Sequence, residues 1–262
     1  MSDLQGGPLR QYYEAYWVPV ENRGFEHVAP SRAGLALPRK VAQLVRHTIP
    51  PGARCLDVGC GAGHTAEVLT ALGCDYVGVD ISETAVQQAR ARGLDARWID
   101  DSGALPFAEA SFDAVVCFEV LEHIFSPQLS VREMFRVLRP GGVVIATTPN
   151  VAYWRRRVDL GLLGRWNPFG YSLAVEQPWA DPHIRFFNRG ALDRLLASCG
   201  FTSITVGGHE GTLLGDLPWI GGRLRAAEAS PLYRALEDRL PSAFGCFLHA
   251  TAHKPPGERS SG

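Results

Sequence analysis

The sequence predicts an α/β chain built on a doubly wound, mainly parallel sheet of seven strands with helices on both faces. Three observations carry that prediction. Short apolar runs bounded by turn residues alternate with stretches of helical apolar spacing along most of the chain, as in successive crossover units. The run "LDVGCGAGHTAEVL", residues 56–69, sets three glycines directly after an apolar strand and directly before a helix. Asp80 ends the next apolar run, 23 positions after Asp57, close to the offset of about 20 at which an acid reaches ribose hydroxyls.

Taken in order, residues 31–48, "SRAGLALPRKVAQLVRHT", place apolar side chains at helical spacing with Ser31 in the capping position, and "IPPG" stops the element. "RCLDVG" (54–59) is the first strand, followed by a helix over 64–72, the strand "DYVGVD" (75–80), a helix over 82–92 and the strand "ARWID" (96–100). "FDAVVCFE" (112–119) is the fourth strand. Ser126 as cap and Pro127 as first helical residue open the next helix, "RPGG" closes it, and "VVIATTP" (143–149) is the fifth strand. After a less regular stretch over 150–187 come a helix in "NRGALDRLLASCG", the strand "TSITVG" (202–207), a mostly helical insertion near 213–240 and a last strand, "FGCFLHATAH" (244–253). Residues 255–262 are rich in proline, glycine and serine and read as a disordered tail.

Composition narrows the function classes. With 46% apolar residues the 262-residue chain can bury a sizeable core. The net charge of −1 supplies no field to attract a polyanion, which argues against duplex nucleic acid and for a small-molecule substrate. Cys55, Cys60, Cys74, Cys117, Cys199 and Cys246 show no zinc-type spacing, and several sit in apolar runs, which suits a reducing cytoplasm. The stretch "MSDLQGGPLRQYYEAYW" has no basic start followed by an apolar run, and no apolar run is long enough to span a membrane, so the expectation is of a chain neither exported nor inserted.

Gly59, Gly61 and Gly63 are spaced two apart, whereas a dinucleotide fingerprint has its third glycine three beyond the second, where His64 stands. With Asp80 they point to an adenosine ligand without a pyrophosphate. The ordered set "LDVGCGAG", "YVGVDIS", "LPFAEASFDAVVCFEVLEHI" and "VLRPGGVVIATTPN", over about residues 54–150, resembles the class I S-adenosylmethionine-dependent methyltransferases, with a likeness to those of the ubiquinone pathway. The resemblance implies a Rossmann-like methyltransferase fold, S-adenosylmethionine as cofactor and S-adenosylhomocysteine as product. It implies that Asp57 with the backbone of Gly59 and Gly61 binds the methionine end, and it counts Gly63 with them among the cofactor-binding residues. Asp80 would take the ribose hydroxyls, Ile81 the adenine face, and Asp101 the adenine amino group with the backbone of Ser102 beside it. Phe118 and Glu119 would line the methyl-transfer site. Asp57 reads also as a cap of the turn, and Asp100 as an exchange partner for Asp101.

The chemistry requires an acceptor aligned with the methyl group and, for a hydroxyl, removal of its proton. His123 follows the fourth strand and titrates near neutrality, which makes it the candidate base; in this family "LEH" also occurs where the histidine only positions a loop. Glu119, Glu122 and His123, with His183 in "DPHIRFF", resemble the metal set of small-RNA 2'-O-methyltransferases, and the first three also that of ubiquinone-pathway O-methyltransferases. The expectation is nonetheless of a site with no obligatory metal, those four being its ligands if the metal-assisted alternative holds.

Trp154, Trp166 and Trp179, with Tyr153, Phe169, Tyr171, Phe186 and Phe187, gather between 150 and 187 and read as an acceptor lid or as satellite core. Tyr12, Tyr13, Tyr16 and Trp17 lie on a short helix that could close over the cofactor or pack on the sheet edge. Arg155, Arg156 and Arg157 suit either an acidic substrate group or a solvated face. The expected organisation is an N-terminal cap over 1–30 and a methyltransferase domain over 31–254 with acceptor-side insertions. The expected function is O- or N-methylation of a small molecule in cofactor or secondary metabolism. A metal-assisted RNA 2'-O-methyltransferase and an inactive cofactor-binding partner subunit are the alternatives.

Overall fold

The computed structural model of the protein describes residues 8–17, 37–165, 183–211, 235 and 239–257. Their strands are β1 (Arg54–Val58), β2 (Asp75–Asp80), β3 (Ala96–Trp98), β4 (Phe112–Phe118), β5 (Leu138–Pro149), β6 (Thr202–His209) and β7 (Phe247–His253). They form one sheet in the order β3-β2-β1-β4-β5-β7-β6. β1 to β5 are parallel, and β7 runs antiparallel to both β5 and β6. The helices are α1 (Pro8–Trp17), α2 (Arg39–Thr48), α3 (Ala66–Thr70), α4 (Glu83–Ala91), α5 (Pro127–Val137), α6 (Trp154–Leu163), α7 (Arg189–Ser198) and α8 (Pro241–Phe244), with a 3-10 turn at Leu121–His123. The expected doubly wound, seven-stranded, mainly parallel sheet is the one found.

Alternation along the strands explains the two helix layers. Val115, Cys117, Val144 and Leu248 face Val131 and Met134 of α5 and Leu192 and Leu196 of α7. Their neighbours Ala114, Val116, Val143 and Ile145 face Val45 of α2 and Leu69 of α3. Burial on both sides is why these strands read as continuous apolar runs. From β1 the order proceeds to β2 and β3 on one side and to β4 and β5 on the other, so a crevice opens at the carboxyl ends of β1 and β4, where sheets of this kind bind ligands.

Several expected boundaries shift. The helix expected over 31–48 starts at Arg39, because Pro38 holds φ −50° and ψ 137° at its cap and a proline ring excludes the preceding residue from the helix; residues 31–36, with Ser31, lie outside the described residues. Ser126 occupies the cap position before Pro127, yet its side chain makes no capping bond, whereas Ser82 and Asn188 accept from Ala85 N–H and Ala191 N–H at 3.1 and 2.9 Å. The last strand starts at Phe247, not Phe244. Pro241 opens α8 ahead of it, and Gly245 packs so closely on Gly208 that a Cβ there would come within 2.5 Å of the Gly208 Cα. The expected insertion near 213–240 falls largely outside the described residues, as do Trp166, Phe169, Tyr171, Trp179 and residues 258–262 of the tail. Among the described residues no helix is long and apolar enough to cross a membrane.

Candidate functional site

Asp57 lies next to the end of β1, buried between the sheet and the turn that follows. Its Oδ2 accepts from the Thr65 hydroxyl and from the Tyr76 hydroxyl, the latter at 3.0 Å. Burial pushes its pKa up to about 6, against the pull of those two donors. Sequence reading missed Thr65 and Tyr76. The available signal was a tyrosine in a strand buried on both faces, whose hydroxyl must find a partner inside.

Gly59 and Cys60 both donate their amides to Val79 O, at 2.8 and 3.0 Å, which lays the glycine turn across the tip of β2. Gly61, at φ +53°, donates to Asp80 Oδ2 at 2.8 Å, and Ser82 N–H donates to Asp80 Oδ1 at 2.9 Å. Asp80 is buried, and burial raises its pKa over the opposing effect of those amides. Each glycine has its own neighbour: a Cβ on Gly59 would lie 2.3 Å from Val120 Cγ2, one on Gly61 2.5 Å from the Trp17 ring, and one on Gly63 2.2 Å from Leu94 Cδ1. Gly63 therefore turns its open side towards packing against Leu94, away from the space beside Gly61.

Beyond β2, Ile81 O accepts the Trp98 indole N–H at 3.0 Å. Asp100, Asp101 and Ser102 are exposed on the loop after β3. There Asp100 Oδ1, rather than Asp101, accepts the Ser102 amide at 3.0 Å.

The carboxyl end of β4 carries the acidic part of the site. Phe118 packs beside the α2 and α3 layer. Glu119 adopts φ +54°, an uncommon conformation for a side chain of this kind, and its amide donates to Thr147 O and Oγ1 at 3.2 and 3.1 Å. That turn leads into the 3-10 segment carrying Glu122 and His123. Burial raises Glu119 to about 7, opposed by the Thr147 hydroxyl and the Arg156 guanidinium. Burial together with the Glu119 charge raises Glu122 well above the ordinary carboxylate range. Among the described residues, Glu119 Oε1 and both carboxyl oxygens of Glu122 are buried without a hydrogen-bond partner. Ile184 and Arg185 donate their amides to Glu122 O at 2.9 and 3.0 Å, which draws His183 to the site.

His123 Nε2 is 3.8 Å from Glu122 Oε1, and the His123 and His183 ring centroids are 4.4 Å apart. Glu122, His123 and His183 each offer a ligand atom within 4.8 Å of the others. Of the four residues named for a metal, Glu119 is not part of that group; its side chain follows the turn at φ +54° instead.

Two flanking segments, each left with two readings by the sequence, border the site. Arg156 is buried as a brace, donating to Asn150 O at 2.5 Å and to Cys246 Sγ at 3.3 Å. Arg155 is 3.6 Å from Asp159, and Arg157 donates to Ser242 O at 3.5 Å, so the arginine run serves α6 and its supports. Tyr153 and Phe187 are buried, while Phe186 is exposed. Helix α1 does reach the site: Tyr13 meets the His123 ring edge-on at 5.5 Å between centroids.

Comparison with known proteins gives this arrangement a family. A family described as a methyltransferase domain matches residues 31–206, more than half of the chain. A probable S-adenosylmethionine-dependent methyltransferase of Mycolicibacterium smegmatis is 35% identical over 63% of this chain and 59% of its own length. A ubiquinone biosynthesis O-methyltransferase of Alkalilimnicola ehrlichii is 40% identical over 38% of this chain and 42% of its own. The chain thus spans about half the length of these curated relatives. The fold matches that of phosphoethanolamine N-methyltransferase 2 of Haemonchus contortus, solved with S-adenosyl-L-methionine, at a TM-score of 0.56 and 19% identity, covering 83% of this chain and 52% of that one. The family match lies on the sheet, the glycine turn and the acidic β4 end described above, and the chain belongs to the class I S-adenosylmethionine-dependent methyltransferases.

Proposed function

We propose that the protein transfers the methyl group of S-adenosylmethionine to an oxygen or nitrogen of a small-molecule acceptor in cofactor or secondary metabolism. The observation that carries this reading is the closure of Asp80 onto the Gly61 amide at 2.8 Å, beside the crevice where Glu119, Glu122 and His123 converge. The residues present fit the cofactor. The glycine turn brings bare backbone at positive φ to the tips of β1 and β2, and Asp80 is the buried acid suited to a pair of hydroxyls. Asp57, sealed by Thr65 and Tyr76, fixes the start of the turn. Residues 31–254 form the transferring domain in this reading, with 1–30 as its cap.

When bound, the cofactor supplies a methyl group already activated by its sulfonium. The chain has to hold the acceptor in line and manage its proton. His123 Nε2 takes the proton of an acceptor hydroxyl, with Glu122 Oε1 3.8 Å away beside the same nitrogen. Glu119 and Glu122, both raised by burial, offer buried carboxyl oxygens as partners for acceptor hydroxyl or amino groups. A net charge of −1 supports a small acceptor over duplex nucleic acid, and Cys55, Cys60, Cys74, Cys117 and Cys199, buried as thiols, support a cytoplasmic setting.

A second reading, metal-assisted methylation of a hydroxyl, is favoured by the approach of Glu122, His123 and His183 within 4.8 Å. The experiment that tests the first reading is a panel of phenols, catechols, sugars and amines, read by formation of S-adenosylhomocysteine and of methylated product. Product formed with at least one small acceptor is the expected result. Turnover confined to an RNA 3' end would replace it with the second reading.

A further inference from the structure

Helix α1 is fastened across the mouth of the site. The Glu14 carboxylate accepts the Glu83 amide at 2.6 Å, the Thr84 amide at 3.1 Å and the Ser82 hydroxyl at 3.0 Å. Those amides belong to the first turn of α4, where backbone donors have no partner within the helix and negative charge is favoured. Although burial opposes it, the bonds from Glu83 and Thr84 hold the Glu14 carboxyl below its usual range. One turn earlier, Arg10 pairs with Glu83 at 2.8 Å and lies 4.8 Å from the Trp98 ring centroid.

The far end of α1 sits on the glycine turn. Trp17 O accepts from Gln88 Nε2 at 2.7 Å, and the Trp17 ring stacks on His64 at 6.3 Å between centroids. That ring covers Gly61 so closely that a Cβ there would come within 2.5 Å of it. Between the two ends, Tyr13 meets His123. One ten-residue helix therefore touches the α4 start beside Asp80, the glycine turn and the residue placed on the acceptor. A helix this short is marginal in water without docking, so its position depends on these contacts.

We propose that α1 is a gate over the cofactor pocket and that Glu14 is its latch. With the latch engaged, Trp17 covers Gly61 and cofactor passage in or out is blocked. Release of Glu14 from α4 frees the helix and opens the way. The inference rests on the cofactor reading above, and it assigns Glu14 a positioning role rather than contact with reacting atoms.

The test uses the full chain and the variants Glu14→Gln, Glu14→Ala and Trp17→Ala. Hydrogen exchange of residues 8–17, measured first without ligand, is expected to be slow in wild type and fast in both Glu14 variants, with the urea midpoint of the folded core unchanged. Stopped-flow binding of S-adenosylhomocysteine is then expected to show association and release both accelerated by about 5- to 30-fold in all three variants, the size of a lost helix cap. Equal exchange in wild type and Glu14 variants overturns the latch, and unchanged binding kinetics overturn the gate. Acceleration of association alone overturns it as well, because α1 would then compete with the cofactor instead of enclosing it. Failure of wild type to bind S-adenosylhomocysteine at all removes the cofactor reading and this inference with it.

Discussion

The Asp80 carboxylate accepts the Gly61 amide at 2.8 Å, closing the glycine turn of one strand onto the acid at the tip of its neighbour. The same oxygen pair holds the Ser82 amide at 2.9 Å, so the turn, the end of β2 and the start of α4 form one hydrogen-bonded unit. A ligand seated there meets a preformed surface rather than a loop that must be ordered on binding.

Gly61→Val tests that unit from the backbone side. Valine is disfavoured at φ +53°, and its Cβ would lie 2.5 Å from the Trp17 ring. The expected outcome is a folded protein destabilised by about 1–2 kcal/mol in urea unfolding, with no detectable binding of S-adenosylmethionine in calorimetry. Wild-type affinity in the folded variant would remove the glycine turn from the site.

His123 lies beside Glu122, its Nε2 3.8 Å from Oε1, and in the proposed function it acts on the acceptor. His123→Ala is expected to lower kcat by about 100-fold or more, a typical share for a positioned acid or base, while changing cofactor affinity less than threefold, since that pattern marks a group acting in the chemical step. Turnover should survive exhaustive chelation. If chelation abolished it and magnesium or manganese restored it, the group of Glu122, His123 and His183 would be a working metal site.

The buried Asp57 makes stability depend on pH in a defined window. Its folded pKa of about 6 lies above the ordinary value of 3.8, so its contribution is fully present below about 3.8 and is lost as pH rises through about 6. Holding the carboxyl at about 6 instead of 3.8 corresponds to ~3 kcal/mol. Urea unfolding of ligand-free wild type and Asp57→Asn should therefore diverge between pH 4 and 7, the variant gaining by up to that amount. Parallel stability curves across that range would show that the carboxyl is not raised.

Much of this was legible in the sequence because the strongest constraints were local or periodic. β2 could be bounded at Asp75 and Asp80 from its apolar run alone, since burial on both faces leaves no polar side to blur it. Gly59, Gly61 and Asp80 were readable because no other residue type supplies a positive φ or a terminal acid as simply. What escaped was set by partners distant in sequence. Arg156 read as a partner for an acidic substrate group or as a solvated charge, yet it is buried and donates to Asn150 O and Cys246 Sγ. Thr65 and Tyr76 gain their role only by meeting at Asp57, and Glu14 only by reaching α4 some 70 residues on. Glu119 was assigned to a strand end, but the Thr147 contact holds it past that end at φ +54°.

The most direct measurement of the central claim is calorimetric titration of S-adenosylhomocysteine into wild type and Asp80→Ala, with circular dichroism establishing that both are folded. Asp80 is the buried acid at the tip of β2, and in the proposed function its charge is shared by two ribose hydroxyls. A hydrogen bond to a charged group is worth about 1.5–3 kcal/mol. The account predicts one site per chain in wild type and binding weakened by about 10- to 100-fold or more in the variant. Unchanged affinity in a folded Asp80→Ala protein, or no binding by wild type, would contradict it.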